Sequence, residues 1–153
     1  MIFRDFKDFV AKLPPTWRLL GVDWGARRVG LAVSDESRGF VFPRGIIESS
    51  KQDVLNAIAK IIKSEQVAGV IIGLPLHADG TDSDTTRNVR EFADALAAAT
   101  DIPIGFMDER LTSIEATDIT KNKKGLDSVA AAVILENAIA MIKRQNDEHK
   151  IYN

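Results

Sequence analysis

The sequence contains no cysteine, one tyrosine and two histidines, and its aromatic content is 7%. Without cysteine there is no disulfide, no thiolate metal site and no cysteine nucleophile. A metal must therefore sit on oxygen, or on His77 or His149. No apolar run approaches the roughly 20 residues that span a bilayer. Met1 to Thr16 is interrupted by charges instead of being arranged as a signal peptide. These absences predict a cytoplasmic protein with no membrane association. Excess charge is missing too: the formal net charge is −2 and the pI is near 5.7. Nothing draws the whole molecule to nucleic acid, so any such contact must come from a local basic patch. Internal repeats and low-complexity tracts are also absent.

What is present is a 45% apolar chain of 153 residues, enough for one core and too little for two. The expectation is a single domain over residues 17–145, a helical extension over 1–16 and a polar tail over 146–153. In "IFRDFKDFVAKLPP", Phe3, Phe6, Phe9, Val10 and Leu13 fall roughly on one helical face, and Pro14-Pro15 ends the helix. Leu19 to Asp23, Val29 to Ser34 and Val41 to Ile47 are short β-prone runs separated by glycine-containing loops, the pattern of a meander. "KQDVLNAIAKIIKSEQ" reads as an amphipathic helix on Val54, Ile58, Ile61 and Ile62, with Ser50 and Asp53 as capping candidates.

"VAGVIIGLP" has the continuous apolar character of a strand covered on both faces. "LHADGTDSDTTR" is a polar loop, and Val89, Phe92, Ala93 and Leu96 mark a second helix. "IPIGFM" is a buried strand that ends in Asp108-Glu109-Arg110. A short helical segment is expected from Thr112 or Ser113, then an exposed "KNKKG" loop, then a final helix over Leu126 to Arg144 that is apolar on most sides. Three strands followed by helix, strand, helix, strand and helix predict a mixed five-stranded α/β sheet flanked by helices.

Ligands of open α/β sheets gather outside the carboxyl ends of the parallel strands. Asp23 ends the first strand and Asp108-Glu109 ends the last, so their acidic ends meet if these strands are neighbours. Successive residues of a strand face opposite sides, so one of Asp108 and Glu109 joins Asp23 and the other pairs with Arg110 or an outlying loop. Asp127 opens the last helix, where a carboxylate also complements the helix dipole. Clustered carboxylates without cysteine or a histidine pair make a hard oxygen site suited to Mg²⁺ or Mn²⁺. Two such ions about 3.5–4 Å apart stabilise the attacking and leaving oxygens of a phosphodiester displacement.

Arg27, Arg28 and Arg110 lie beside these acids, and Lys121, Lys123 and Lys124 precede Asp127, where basic side chains could hold backbone phosphates. "GLPLHADG" is either a phosphate-cradling loop or a plain turn, and it lacks a P-loop pattern. Ser34-Asp35 and Ser128 match no serine-nucleophile motif.

"GVDWGARRVGLAVSD", "IIGLPLHADGT", "DERLTSIEA" and "DSVAAAVILE", in this order, resemble the YqgF family of RNase H-like proteins, also called RuvX, over nearly all of Leu19 to Ile142. The resemblance implies an RNase H-like fold with three acidic positions around divalent metal. Carried onto this chain, they are Asp23, Glu109 with Asp108 as the competitor, and Asp127. It further implies an endonuclease that matures the 5′ end of the 16S ribosomal RNA precursor, acting on RNA within a ribosomal particle, with Mg²⁺ or Mn²⁺ as cofactor. The "KNKKG" segment is shorter than the basic stretch common in that family.

Two other readings share the fold. A structure-selective DNA nuclease acting on four-way junctions would use the same acids, and favours a homodimer that sets two sites on symmetric strands. A noncatalytic ribosome-assembly factor would bind RNA without turnover. The first motif also resembles the phosphate hairpin of actin-like ATPases, but those need two such domains, for which the length leaves no room.

Overall fold

The computed structural model describes residues 1–111 and 126–152, with residues 111, 126, 127 and 149–152 described by backbone alone. In chain order the elements are α1 (Phe6–Lys12), β1 (Leu19–Asp23), β2 (Arg28–Ser34), β3 (Val41–Glu48), α2 (Val54–Ser64), β4 (Gly69–Leu74), α3 (Asp84–Ala99), β5 (Ile104–Asp108), a 3-10 turn (Glu109–Leu111) and α4 (Leu126–Tyr152). The strands form one mixed five-stranded sheet in the order β3-β2-β1-β4-β5. β1, β2 and β3 are antiparallel neighbours, while β1, β4 and β5 run parallel.

Alternation along the strands divides the core in two. Leu20, Val22, Val29, Leu31, Val70 and Ile72 face α2 and α3, where they meet Ile58, Ile62, Val89, Phe92 and Leu96. Leu19, Ala32, Ile71 and Met107 face the other way, against Ala131, Ala132, Ile134, Leu135 and Ala138 of α4. β4 is buried at every position, as its continuous apolar run requires when helices cover both faces. The α4 backbone packs close at Gly21, where a β-carbon would stand 2.8 Å from the Ala131 carbonyl oxygen. A side chain there would lift the helix off β1.

Local chemistry sets the helix starts. Asp53, of the two capping candidates, caps α2 by accepting from the Asn56 N–H. Ser83 and Thr86 form a reciprocal capping box on α3. That box starts α3 at Asp84, so residues 84–87 are helix and not the end of the polar loop. α4 runs on to Tyr152 beyond the expected stop at Arg144, because residues 145–152 contain neither proline nor glycine to end it. The helical segment expected near Thr112 lies outside the described residues.

The N-terminal extension is part of the core. Phe9 is fully buried, and its ring lies over Gly105 and Gly69, whose missing side chains make room for it. Burying such a ring contributes about 1.5–3 kcal/mol. Ile2 adds a parallel bridge to Ile104, with the Phe3 N–H donating to the Ile104 carbonyl at 2.9 Å. Arg38, buried at the turn before β3, ties in the end of the extension: its Nε donates to the Trp17 carbonyl at 2.7 Å and its Nη2 to the Pro14 carbonyl at 3.0 Å.

Candidate active site

Asp23 ends β1, and alternation from Leu19 and Gly21 puts it on the α4 face of the sheet. Its cross-strand partner is Gly30 of β2. The expected meeting of β1 with β5 is corrected here, because β4 runs between them. Their backbones are two strand spacings apart, roughly 9–10 Å.

Glu109 closes that gap. Asp108 continues the face of Ile104 and Phe106, toward α2 and α3, and Glu109 follows on the opposite, α4 side. Glu109 Oε1 lies 2.7 Å from where a β-carbon on Gly73 would be. The carboxyl group thus occupies the space that a side chain on β4 would fill. Val22 is in register with Ile72, so the next residues, Asp23 and Gly73, stand at one level on adjacent strands. The Glu109 carboxyl and Asp23 therefore belong to one face and one end of the sheet.

Glu109 is half-buried beside Ile134, and burial raises its pKa above the ordinary carboxylate value, with the neighbouring Asp108 charge adding to the effect. A negative charge held there gains from a nearby cation.

Asp108 has a different environment. Arg110 Nη2 donates to Asp108 Oδ2 at 2.7 Å, Arg110 Nε donates to both oxygens at 3.1 Å, and the Arg110 backbone N–H donates to Oδ1 at 2.9 Å. These bonds hold the Asp108 carboxyl below the ordinary range, the Arg110 side-chain bond contributing most. Arg110 Nη1 also donates to the Ala78 carbonyl at 3.2 Å, tying the end of β5 to the turn after β4. The guanidinium expected to orient substrate is engaged in this clamp.

That turn uses its own donors. The His77 N–H bonds the Thr81 carbonyl at 2.9 Å, the Gly80 N–H bonds the His77 carbonyl at 2.8 Å and the Thr81 N–H bonds Asp79 Oδ1 at 3.0 Å. The turn that follows β4 therefore commits these amides internally, and His77 is exposed on it.

Arg27 and Arg28 are exposed beside the end of β1. Trp24 packs into the core under the intervening loop, its ring centroid 6.3 Å from that of Phe92. Gly25 brings the loop back to Arg28, whose carbonyl oxygen would be 2.7 Å from a β-carbon at position 25. Asp127 lies in the first turn of α4, the helix that covers the face of Asp23 and Glu109. Lys121, Lys123 and Lys124 lie outside the described residues. Among the described residues no group of three or more His, Asp and Glu side chains forms a metal site, and no helix is long and apolar enough to cross a membrane.

The part that sequence reasoning missed is Gly73, which leaves room for Glu109. Its signal is faint: one glycine in an otherwise bulky apolar strand can mark a close approach of another group.

The geometry has relatives. A protein of Maridesulfovibrio salexigens is 44% identical over 132 residues, covering 80% of this chain and 98% of its own length. One of Rickettsia felis is 33% identical over 153 residues, covering 94% and 99%. Both are named "Putative pre-16S rRNA nuclease". Among solved structures, Thermus thermophilus RuvC in complex with a Holliday junction substrate matches with a TM-score of 0.60 at 12% identity, over 84% of this chain and 95% of that one. The yeast mitochondrial Holliday junction resolvase Ydc2 matches with a TM-score of 0.50 at 14% identity, over 97% and 90%. These two likenesses are of fold, and they make the sheet RuvC-like and RNase H-like. The RuvX family model, described as Holliday junction resolvase, matches residues 17–141, and this chain belongs to that family.

Proposed function

We propose that this protein is a divalent-metal-dependent endonuclease that hydrolyses phosphodiester bonds in the 5′ region of the 16S ribosomal RNA precursor. The observation that carries the reading is the convergence of Asp23 and Glu109 on the α4 face, across a glycine of the intervening strand. The names of the Maridesulfovibrio and Rickettsia relatives support the RNA substrate.

The donor set fits Mg²⁺ or Mn²⁺: carboxylate oxygens, no sulfur, and one acid whose charge is disfavoured by burial until a cation is near. Asp23, Glu109 and Asp127 would hold the ion. When bound, it supplies Lewis-acid stabilisation of charge on the phosphate and the leaving oxygen. Asp108 and Arg110 keep the β5 end fixed, so that Glu109 stays over Gly73. Arg27 and Arg28, with Lys121, Lys123 and Lys124, hold backbone phosphates and orient the strand to be cut. On this reading the protein works in the cytoplasm on a ribosomal precursor particle.

The family's description favours a second reading, cleavage of four-way DNA junctions. That activity calls for a two-fold homodimer. The test is cleavage of an end-labelled 16S precursor fragment with Mg²⁺ or Mn²⁺, comparing native protein with a folded Asp23→Asn variant and offering a four-way DNA junction as competitor. Metal-dependent RNA cleavage lost in the variant supports the proposal. Cleavage of the junction alone supports the second reading, and RNA binding without cleavage of either overturns both in favour of an assembly role.

A further inference from the structure

The β2–β3 ladder breaks at one point. Ala32 pairs with Pro43 and Leu31 with Gly45, so Arg44 is an extra residue on β3 and forms a bulge. Gly45 has φ +106°, a conformation open to glycine and strained for other residues. Ser128, in the first turn of α4 and 4% exposed, reaches into this break. Its Oγ accepts from the Gly45 N–H at 3.1 Å and donates to the Leu31 carbonyl at 3.0 Å. One hydroxyl joins a donor on β3 to an acceptor on β2 where the ladder is interrupted, satisfying both groups.

The consequence concerns Asp127, the preceding residue. Among the described residues, α4 meets the sheet through Ser128 on the β2–β3 bulge, Ala131 and Leu135 on Gly21 of β1, and Ile134 on Gly73 of β4. The contacts on Gly21 and Gly73 are apolar or steric. The Ser128 bridge is directional, and it joins the helix to Leu31, the residue after the cross-strand partner of Asp23.

We infer that Ser128 is a positioning residue that fixes the first turn of α4, and with it Asp127, against the end of β1. The inference rests on the proposed role of Asp127 as a metal-holding acid. Ser128 acts on that acid through the helix backbone, so its loss should weaken metal binding by about tenfold, the low end of the range for groups that orient metal ligands. No nucleophilic role is involved, since both hydrogen-bonding directions of the hydroxyl are used by the sheet.

The test is Mn²⁺ binding to the intact protein, read from free Mn²⁺ by electron paramagnetic resonance, with RNA binding in EDTA and thermal melting as controls. Ser128→Ala should raise the Mn²⁺ dissociation constant about tenfold while RNA binding in EDTA is unchanged, and Ser128→Thr, which keeps the hydroxyl, should restore most of the affinity. Should Ser128→Ala fail to fold, Gly45→Ala disturbs the same bridge from the sheet side and should weaken Mn²⁺ binding likewise. In an Asp127→Ala background, Ser128→Ala should have no further effect, because the support then has nothing to position. Full Mn²⁺ affinity in the folded single variants, or an undiminished loss in the Asp127→Ala background, overturns the positioning role. Asp127→Ala binding Mn²⁺ as well as native protein instead overturns the proposed role of Asp127, and the inference falls with it.

Discussion

Glu109 Oε1 stands 2.7 Å from where a β-carbon on Gly73 would be, so an acid at the end of β5 fills the side-chain space of the neighbouring strand. The same absent β-carbon would lie 2.5 Å from Ile134 Cδ1. One glycine therefore serves both the carboxyl group and the helix that covers it. Gly73→Ala should cut cleavage at least tenfold by displacing Glu109, with RNA binding in EDTA retained. Overpacking of this kind costs about 1–3 kcal/mol, which a urea titration would measure. Native turnover in the variant would show that the position of Glu109 does not matter.

The two adjacent acids should respond differently to neutralisation. Glu109→Gln should reduce RNA cleavage by at least about a hundredfold, the scale of removing one well-placed electrostatic group. Asp108→Asn should reduce it less, because it weakens the Arg110 clamp and leaves the Glu109 carboxyl in place. Single-turnover rates at saturating metal would rank them. A reversed ranking would assign the metal-facing role to Asp108.

Stability should depend on pH in two opposite ways. Glu109 has a folded-state pKa raised above its ordinary 4.5. Its ionised form is the disfavoured one, so it subtracts stability at neutral pH and returns it as the pH falls through the raised value. Asp35, Asp82 and Asp108 are lowered from 3.8. Their contribution is complete above 3.8 and is lost as the pH falls through their folded values. Melting of the protein in EDTA should improve on mild acidification from neutral pH and worsen below pH 3.8. In Glu109→Gln the improvement should shrink to the part that Glu136 supplies, whose pKa burial also raises, while the acid limb remains. If the native protein shows no such rise, the charge on Glu109 is not destabilising.

Metal should reverse the neutral-pH deficit. With Mn²⁺ at a hundred times its dissociation constant, binding to the folded state adds about 2.7 kcal/mol, a rise in melting temperature of several degrees for a domain of this size. Asp23→Asn should lose most of that rise. An equal Mn²⁺ response in the variant would mean that the ion binds elsewhere.

Arg38 offers a prediction remote from the site. Its guanidinium is largely buried between the Trp17 and Pro14 carbonyls. Arg38→Ala leaves those acceptors without their donor and should destabilise the fold by about 1–3 kcal/mol, with activity per folded molecule unchanged. A parallel fall in both would instead link the N-terminal extension to catalysis.

The sequence by itself determined the elements and their order. Apolar runs and period-3.6 stripes marked the five strands, helices α1 to α3 and the start of α4 to within a few residues, because each element must bury one face or both, but not the end of α4, which runs past Arg144 to Tyr152. It also showed that Asp108 and Glu109 must part ways, since strand neighbours point to opposite sides. What it could not supply was the order of strands in space. Only the tertiary structure decided that β4 separates β1 from β5, that Glu109 crosses it over Gly73 and that Ser128 bridges a broken ladder. Those relations join residues 36 and 97 positions apart in the chain. No local pattern records such pairs, because they arise from the order in which strands pair and from the packing of a helix across the resulting sheet.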